Sequence, residues 1–125
     1  MAVQTTPNVQ AKPWGQTRQI YRDQTHEVWH ATIQRGGFSS RHFHTRKGNE
    51  FYVVRGTLLV HEWDAQHSTA PRVTHVLKPG DRVLIDDHVW HTFEAETDVE
   101  LIETYFSHLK GEDIVRHDAG GLRAP

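Results

Sequence analysis

The sequence contains no cysteine. Disulfides and thiolate metal sites are therefore excluded, and any metal must be held by imidazole, carboxylate or carboxamide groups. The same absence fits a reducing compartment, so a cytoplasmic location is the expectation. A surplus of either charge is also missing: Lys+Arg 14 stand against Asp+Glu 16, for a formal net charge of -2. No basic run is present to track a phosphate backbone, which removes nucleic acid from the expected partners. No window approaches the roughly 20 apolar residues of a membrane span, and residues 1–12 are polar, unlike the apolar core of a signal peptide. A membrane is therefore not expected either. No stretch before residue 107 carries a helical period.

Histidine, by contrast, is abundant, with eleven in 125 residues. Two of them, His42 and His44, sit one residue apart in GGFSSRHFHTRKGNEFYVVRG, residues 36–56. The segment around them reads as a β-strand, in which side chains two apart share a face. Two imidazoles side by side on a buried face are costly to desolvate unless something binds them, and a metal ion is the obvious candidate. His91 follows in PGDRVLIDDHVWHTF, after a Pro-Gly-Asp turn. His26, His30, His61 and His67 read as surface residues.

Hydrophobic alternation and turn residues predict strands over residues 28–33, 39–44, 49–55, 57–63, 73–77, 82–85, 89–95 and 99–106. Only Arg55-Gly56 separates 49–55 from 57–63, which predicts a tight antiparallel hairpin there. Many short strands without a helix predict an all-β sandwich or barrel. One domain is expected: residues 1–12 as a flexible segment, 13–110 as the barrel, and 111–125 as a tail packed on it. Trp14, in Lys12-Pro13-Trp14-Gly15, is read as an aromatic lid on the core.

The order of these features resembles the double motif of the cupin superfamily. A glycine, an HxH pair, an acidic or amide residue and a hairpin glycine are followed by a Pro-Gly-Asp turn and a further histidine. The resemblance implies a single jelly-roll barrel of the cupin 2 type whose two motifs face each other across the interior. It implies one divalent metal ion (Zn, Mn, Fe or Ni) with His42, His44 and His91 as ligands. The family usually adds a glutamate; in this chain Asn49 stands at that position, with Glu50 one step later. If Asn49 points inward with Phe51 and Val53, then Glu50 points out with Tyr52 and Val54, and a bulge at Gly48 would reverse the choice. Asn49 is favoured, and Glu50 is the alternative. Asp86 and His88 replace the proline and glycine usual in the second motif, and His88 becomes a candidate for the cavity mouth.

A narrower resemblance rests on Lys12-Pro13-Trp14-Gly15, on Val53-Val54-Arg55-Gly56-Thr57, and on Gly111-Glu112-Asp113-Ile114-Val115-Arg116 with Asp118. These segments look like the cupin domain of type II mannose-6-phosphate isomerases. That likeness implies a sugar or sugar-phosphate site and metal-dependent aldose–ketose isomerisation. Cations for a phosphate are sought among Arg41, Arg46, Arg55 and Arg116, and the substrate-binding candidates are Arg116, Arg55 and His88. The tail departs from the family pattern, because Gly121 stands at the arginine position and Arg123 comes two residues late. Two other readings stay open: a non-catalytic binding or structural cupin, and a non-haem metal dioxygenase. The expected partner is a small molecule, and an exposed N-terminal strand edge with Trp29 leaves a homodimer open.

Overall fold

The structure, a computed structural model, describes residues 2, 3, 5, 8–106 and 114–125. The described residues form strands β1 (Gln10–Lys12), β2 (Gly15–Arg22), β3 (His26–Ile33), β4 (Gly37–Phe38), β5 (His42–Phe43), β6 (Gly48–Arg55) and β7 (Leu58–Trp63). They continue with β8 (Val73–Leu77), β9 (Arg82–Ile85), β10 (Trp90–Ala95), β11 (Val99–Phe106), β12 (Val115–Arg116) and β13 (Gly121–Leu122). No helix occurs among the described residues, and so none there is long and apolar enough to cross a membrane.

Two antiparallel sheets make an all-β jelly roll. One runs in the order β1-β2-β3-β11-β6-β9. In the other, β10 pairs with β4 and β5 along one side and with β7 along the opposite side, while β8, β12 and β13 extend the edges. Period-2 alternation places one row of each strand between the sheets. Ala31 and Ile33, Phe51 and Val53, Leu58 and Val60, Phe93 and Ala95, and Val99 and Leu101 supply that interior, completed by Leu77 and Ile85. Trp14 packs on this core and meets Phe93 edge-on, with ring centroids 5.1 Å apart.

The inward rows do not stay apolar to the end. On β6 the row Val53, Phe51 continues to Asn49; on β10 the row Ala95, Phe93 continues to His91; on β11 the row Leu101 continues to Glu103 and Tyr105. The register sets Asn49 opposite Tyr105, Phe51 opposite Glu103, and His91 opposite His42. One end of the sandwich is therefore filled with hydrocarbon, and the other gathers polar groups on the same faces.

The expected hairpin at Arg55-Gly56 is not formed. β6 pairs with β11 and β9, while β7 pairs with β10 and β8, so the two strands lie in different sheets. Gly56 turns the corner between them at φ 88°, and a Cβ there would run into the carbonyl oxygen of Asp98. Such a position needs glycine. Of the strand expected over 39–44 only His42–Phe43 forms, as β5; β4 precedes it, with Ser39 and Ser40 buried between the two. β2 is an eight-residue strand in a stretch where none was expected. Part of the segment expected to be flexible is also paired: β1 returns on β2 through the turn at Pro13-Trp14.

Candidate metal centre

His42 and His91 face each other across the β5–β10 pairing, and His44 lies just past β5. Their ring centroids are 4.3 Å (His42–His91), 5.1 Å (His42–His44) and 5.6 Å (His44–His91) apart. All three are buried, and each offers a ring nitrogen within 4.8 Å of the other two. The backbone N–H of His88 donates to the carbonyl of His44 at 2.7 Å, tying the turn after β9 to the histidine segment. His88 does this at φ 63°, a left-handed backbone favoured by glycine.

Two of the three tautomers follow from their neighbours. The Nδ1 of His42 lies 2.6 Å from the carbonyl of Ser40, and the Nδ1 of His91 lies 2.8 Å from the carbonyl of Val89. A carbonyl can only accept, so each Nδ1 carries the proton and each Nε2 keeps its lone pair. The Nε2 of His91 is buried and has no hydrogen-bond partner among the described residues. Burial pulls the pKa of His42 well below the ordinary value, and the nearby His91, His44 and Arg116 add to the effect. Burial likewise lowers His91 to about 4. Neutral imidazoles with inward lone pairs are the form that binds a metal ion.

The His91 shift predicts how the metal-free protein responds to acid. Between pH 6.5 and about 4 the unfolded chain protonates this histidine and the folded chain does not. The stabilisation is complete above 6.5 and is lost progressively as pH falls toward 4, on the order of 3 kcal/mol from this group. Urea midpoints of metal-free protein at pH 7 and pH 5 measure it; equal midpoints would count against a buried neutral His91.

Asn49 is fully buried beside the trio. Its row neighbours bracket the histidines: Phe51 meets His91 at a centroid distance of 6.3 Å, and Tyr105, opposite Asn49, meets His44 at 5.2 Å. Its Nδ2 donates to Oε2 of Glu103 at 2.8 Å, and its Oδ1 is buried with no partner among the described residues. Glu50 lies on the opposite face of β6, 3.8 Å from Arg82. An orphaned amide oxygen and imidazole nitrogen, in a set of neutral nitrogen and oxygen donors, fit a divalent ion.

Two of the trio, His42 and His44, line a cavity of about 600 Å³. Ser40, Glu103, Tyr105, Lys47 and Arg116 line the same cavity, as do Lys12, Glu27, Trp14 and Trp29. Tyr105 hydrogen-bonds Glu103, the phenol donating to the carboxylate. Burial raises the pKa of Glu103, and burial followed by the charge of Glu103 raises that of Tyr105. The Lys47 ammonium sits 4.0 Å from the centre of the Tyr105 ring. Nη1 of Arg116 donates to Oγ of Ser40 at 3.0 Å, which brings its charge close to His42.

The other substrate-binding candidates lie elsewhere. Arg55 is mostly exposed, pairs with Glu100 at 2.7 Å, and borders a separate cavity with Gly15, Thr32 and Asp98. The His88 side chain is exposed and stacks on Phe43. Arg41 lies over the Trp63 ring at 3.5 Å, outside the histidine cavity. Trp29, offered as support for a homodimer contact, lines the cavity, with its indole nitrogen buried and unpartnered among the described residues. Of the tail motif, Gly111, Glu112 and Asp113 lie outside the described residues, whereas Arg116 reaches the cavity. Lys47, Glu103, Tyr105 and Trp29 were missed as site residues. The alternation of the last strand carried a signal for two of them, because Glu103 and Tyr105 share parity with Val99 and Leu101.

Residues 29–105 match the family described as Cupin domain. The chain belongs to the cupin family. Solved structures agree on the fold. KdgF from Halomonas sp. is 22% identical with a TM-score of 0.67, over 81% of this cupin and 88% of that chain. An RmlC-like cupin from Shewanella frigidimarina is 19% identical with a TM-score of 0.66, over 80% and 83%. Oxalate decarboxylase from Bacillus subtilis is 14% identical with a TM-score of 0.73; the match takes in 87% of this cupin but 29% of that longer chain. A search of the curated proteins found no match.

Proposed function

We propose that this cupin is a metal-dependent small-molecule protein acting on a hydroxylated anion, a sugar acid or a sugar phosphate, with Glu103 as its proton-transfer group. The observation that carries this reading is the meeting of three kinds of group at one cavity, which His42 and His44 line and beside which His91 is paired with His42. A neutral donor set of His42, His44, His91 and Asn49 would hold a divalent ion, which supplies Lewis-acid polarisation of substrate oxygens. Three cations, Lys12, Lys47 and Arg116, face the cavity against two carboxylates, Glu27 and Glu103. That balance favours an anionic ligand even before the ion's own charge is added. The volume suits a monosaccharide derivative.

Arg116 is held against Ser40 and so presents a fixed cation beside His42. Trp14 and Trp29 contribute apolar wall for a sugar. Glu103, whose pKa burial raises, can take a proton from a carbon or hydroxyl and return it to a neighbour. Tyr105, kept protonated, steadies that carboxylate through its hydroxyl. Aldose–ketose isomerisation is one reaction of this proton-transfer class. The arginine expected in the tail of type II mannose-6-phosphate isomerases does not serve here: Gly121 pairs with Phe38, and Arg123 binds Glu94 at 3.2 Å.

Tryptophan fluorescence reports on the cavity through Trp14 and Trp29. Zn²⁺-loaded protein is expected to bind glucuronate or mannose 6-phosphate and to ignore glucose, and Arg116→Ala should weaken the anion by about tenfold, or 1.4 kcal/mol. Equal binding of glucose, or no loss in the variant, would overturn the anionic reading. An anion bound but left unchanged would make the protein a non-catalytic cupin. Oxygen uptake by an iron-loaded sample would favour the dioxygenase instead.

A further inference from the structure

We propose that Glu103 is a positioning residue for the metal centre: its carboxylate fixes the Asn49 side chain so that Oδ1 is presented to His42, His44 and His91 as the fourth ligand. The inference rests on the metal site proposed above and assigns Glu103 a role there that does not depend on substrate.

A carboxamide has two ends of similar shape and opposite polarity. Left alone beside a cation it can turn either way, and with the wrong end inward its N–H groups repel the ion. In this chain the choice is made by one contact. Nδ2 of Asn49 lies 2.8 Å from Oε2 of Glu103. A carboxylate oxygen can only accept, so the amide nitrogen must face it; the flipped amide would set two oxygens against each other in a buried site. Oδ1 then projects the other way, where it has no partner among the described residues.

The placement of Glu103 is itself held. Phe51, the inward neighbour of Asn49 on β6, stands opposite Glu103 on β11. The Tyr105 hydroxyl donates to the same carboxylate, and the charges of Lys47 and Lys12 act on it. These contacts explain how a chain without a ligand carboxylate can still bind a divalent ion. The negative charge stands one residue further out, and the amide between carbonyl oxygen and carboxylate transmits its orientation to the ion.

The test is calorimetric titration with Zn²⁺ of protein purified without a metal-chelating column and stripped of metal. Glu103→Gln removes the charge and can present either end of its own amide; Glu103→Asp keeps the charge but draws it back by one methylene. Both are expected to weaken Zn²⁺ by roughly ten- to a hundredfold, with thermal midpoints of the metal-free proteins within a few degrees of the parent. In an Asn49→Ala background, Glu103→Gln should then cost little more, because the group it positions is gone. Full affinity in Glu103→Asp together with an undiminished loss in the Asn49→Ala background would show that Glu103 acts by charge alone and would overturn the proposal. Unchanged affinity in both single variants would overturn it as well. Failure of the parent protein to bind Zn²⁺, Mn²⁺, Fe²⁺ or Ni²⁺ would instead remove the metal reading, and this inference with it.

Discussion

His44→Ala is expected to lower the affinity for Zn²⁺ by about a hundredfold or more, which is about 2.7 kcal/mol. The size follows from the composition of the site. The proposed donors are three imidazoles and one amide oxygen, all neutral, so no ligand carboxylate would be left to hold the ion once an imidazole goes. Changes to residues that only support the ligands already cost roughly ten- to a hundredfold in comparable sites, and a direct ligand exceeds them. The barrel should survive the change. His44 lies outside the apolar cluster built on Phe51, Leu58, Leu101 and their neighbours. Its removal also takes away one of the groups that hold down the His42 pKa. Calorimetry with metal-free protein measures the loss, and circular dichroism confirms that the β fold persists. Parent-like affinity in the variant would mean that the three histidines do not act together.

Much of this was legible because period-2 alternation is a local signal. Residues 73–77, 82–85 and 99–106 were expected as strands, and the structure has strands at those bounds. The HxH spacing put His42 and His44 on one face and parity set Asn49 apart from Glu50, while His91 joined them through the resemblance to the cupin double motif. What failed was non-local. Arg55-Gly56 has the length of a hairpin turn, but whether two successive strands pair or part depends on what else the edges can bind. Here β6 finds β11 and β9 while β7 finds β10, and Gly56 becomes a corner between sheets.

Strand β2 was missed for a related reason. Its sequence, GQTRQIYR, is mostly polar and half exposed, because it lies near the sheet edge with only Thr17 buried. Its strand character comes from the ladder with β3, which no alternation of its own records. Lys47 escaped notice because it sits in a polar turn, where a buried amine has no sequence signature. Glu103 was the most legible of the missed residues. A glutamate in phase with Val99 and Leu101 on a core strand is an inward charge, and an inward charge requires a partner or a function.

Moving that charge inward should strengthen the site. The double variant Asn49→Glu/Glu103→Gln is expected to bind Zn²⁺ at least about tenfold more tightly than the parent, since a ligand carboxylate in place of an amide oxygen is worth at least about 1.4 kcal/mol. The swap keeps the total charge and reverses the polarity of the pair. The glutamine introduced on β11 would offer its amide N–H to the carboxylate introduced on β6, along the line where Asn49 now donates to Glu103 at 2.8 Å. Asn49→Glu alone should gain less, because it forces two carboxylates together in a buried row, and the metal-free form should lose stability through their repulsion. Glu50→Gln is the control. Glu50 faces away from the trio toward Arg82, so its change should leave Zn²⁺ affinity within about twofold, at the few-tenths level of a surface ion pair. Calorimetric titration of the four proteins ranks them directly. If Glu50→Gln released the metal while the double variant bound it no better than the parent, the fourth ligand would be Glu50, and β6 would have to rotate by one residue on binding.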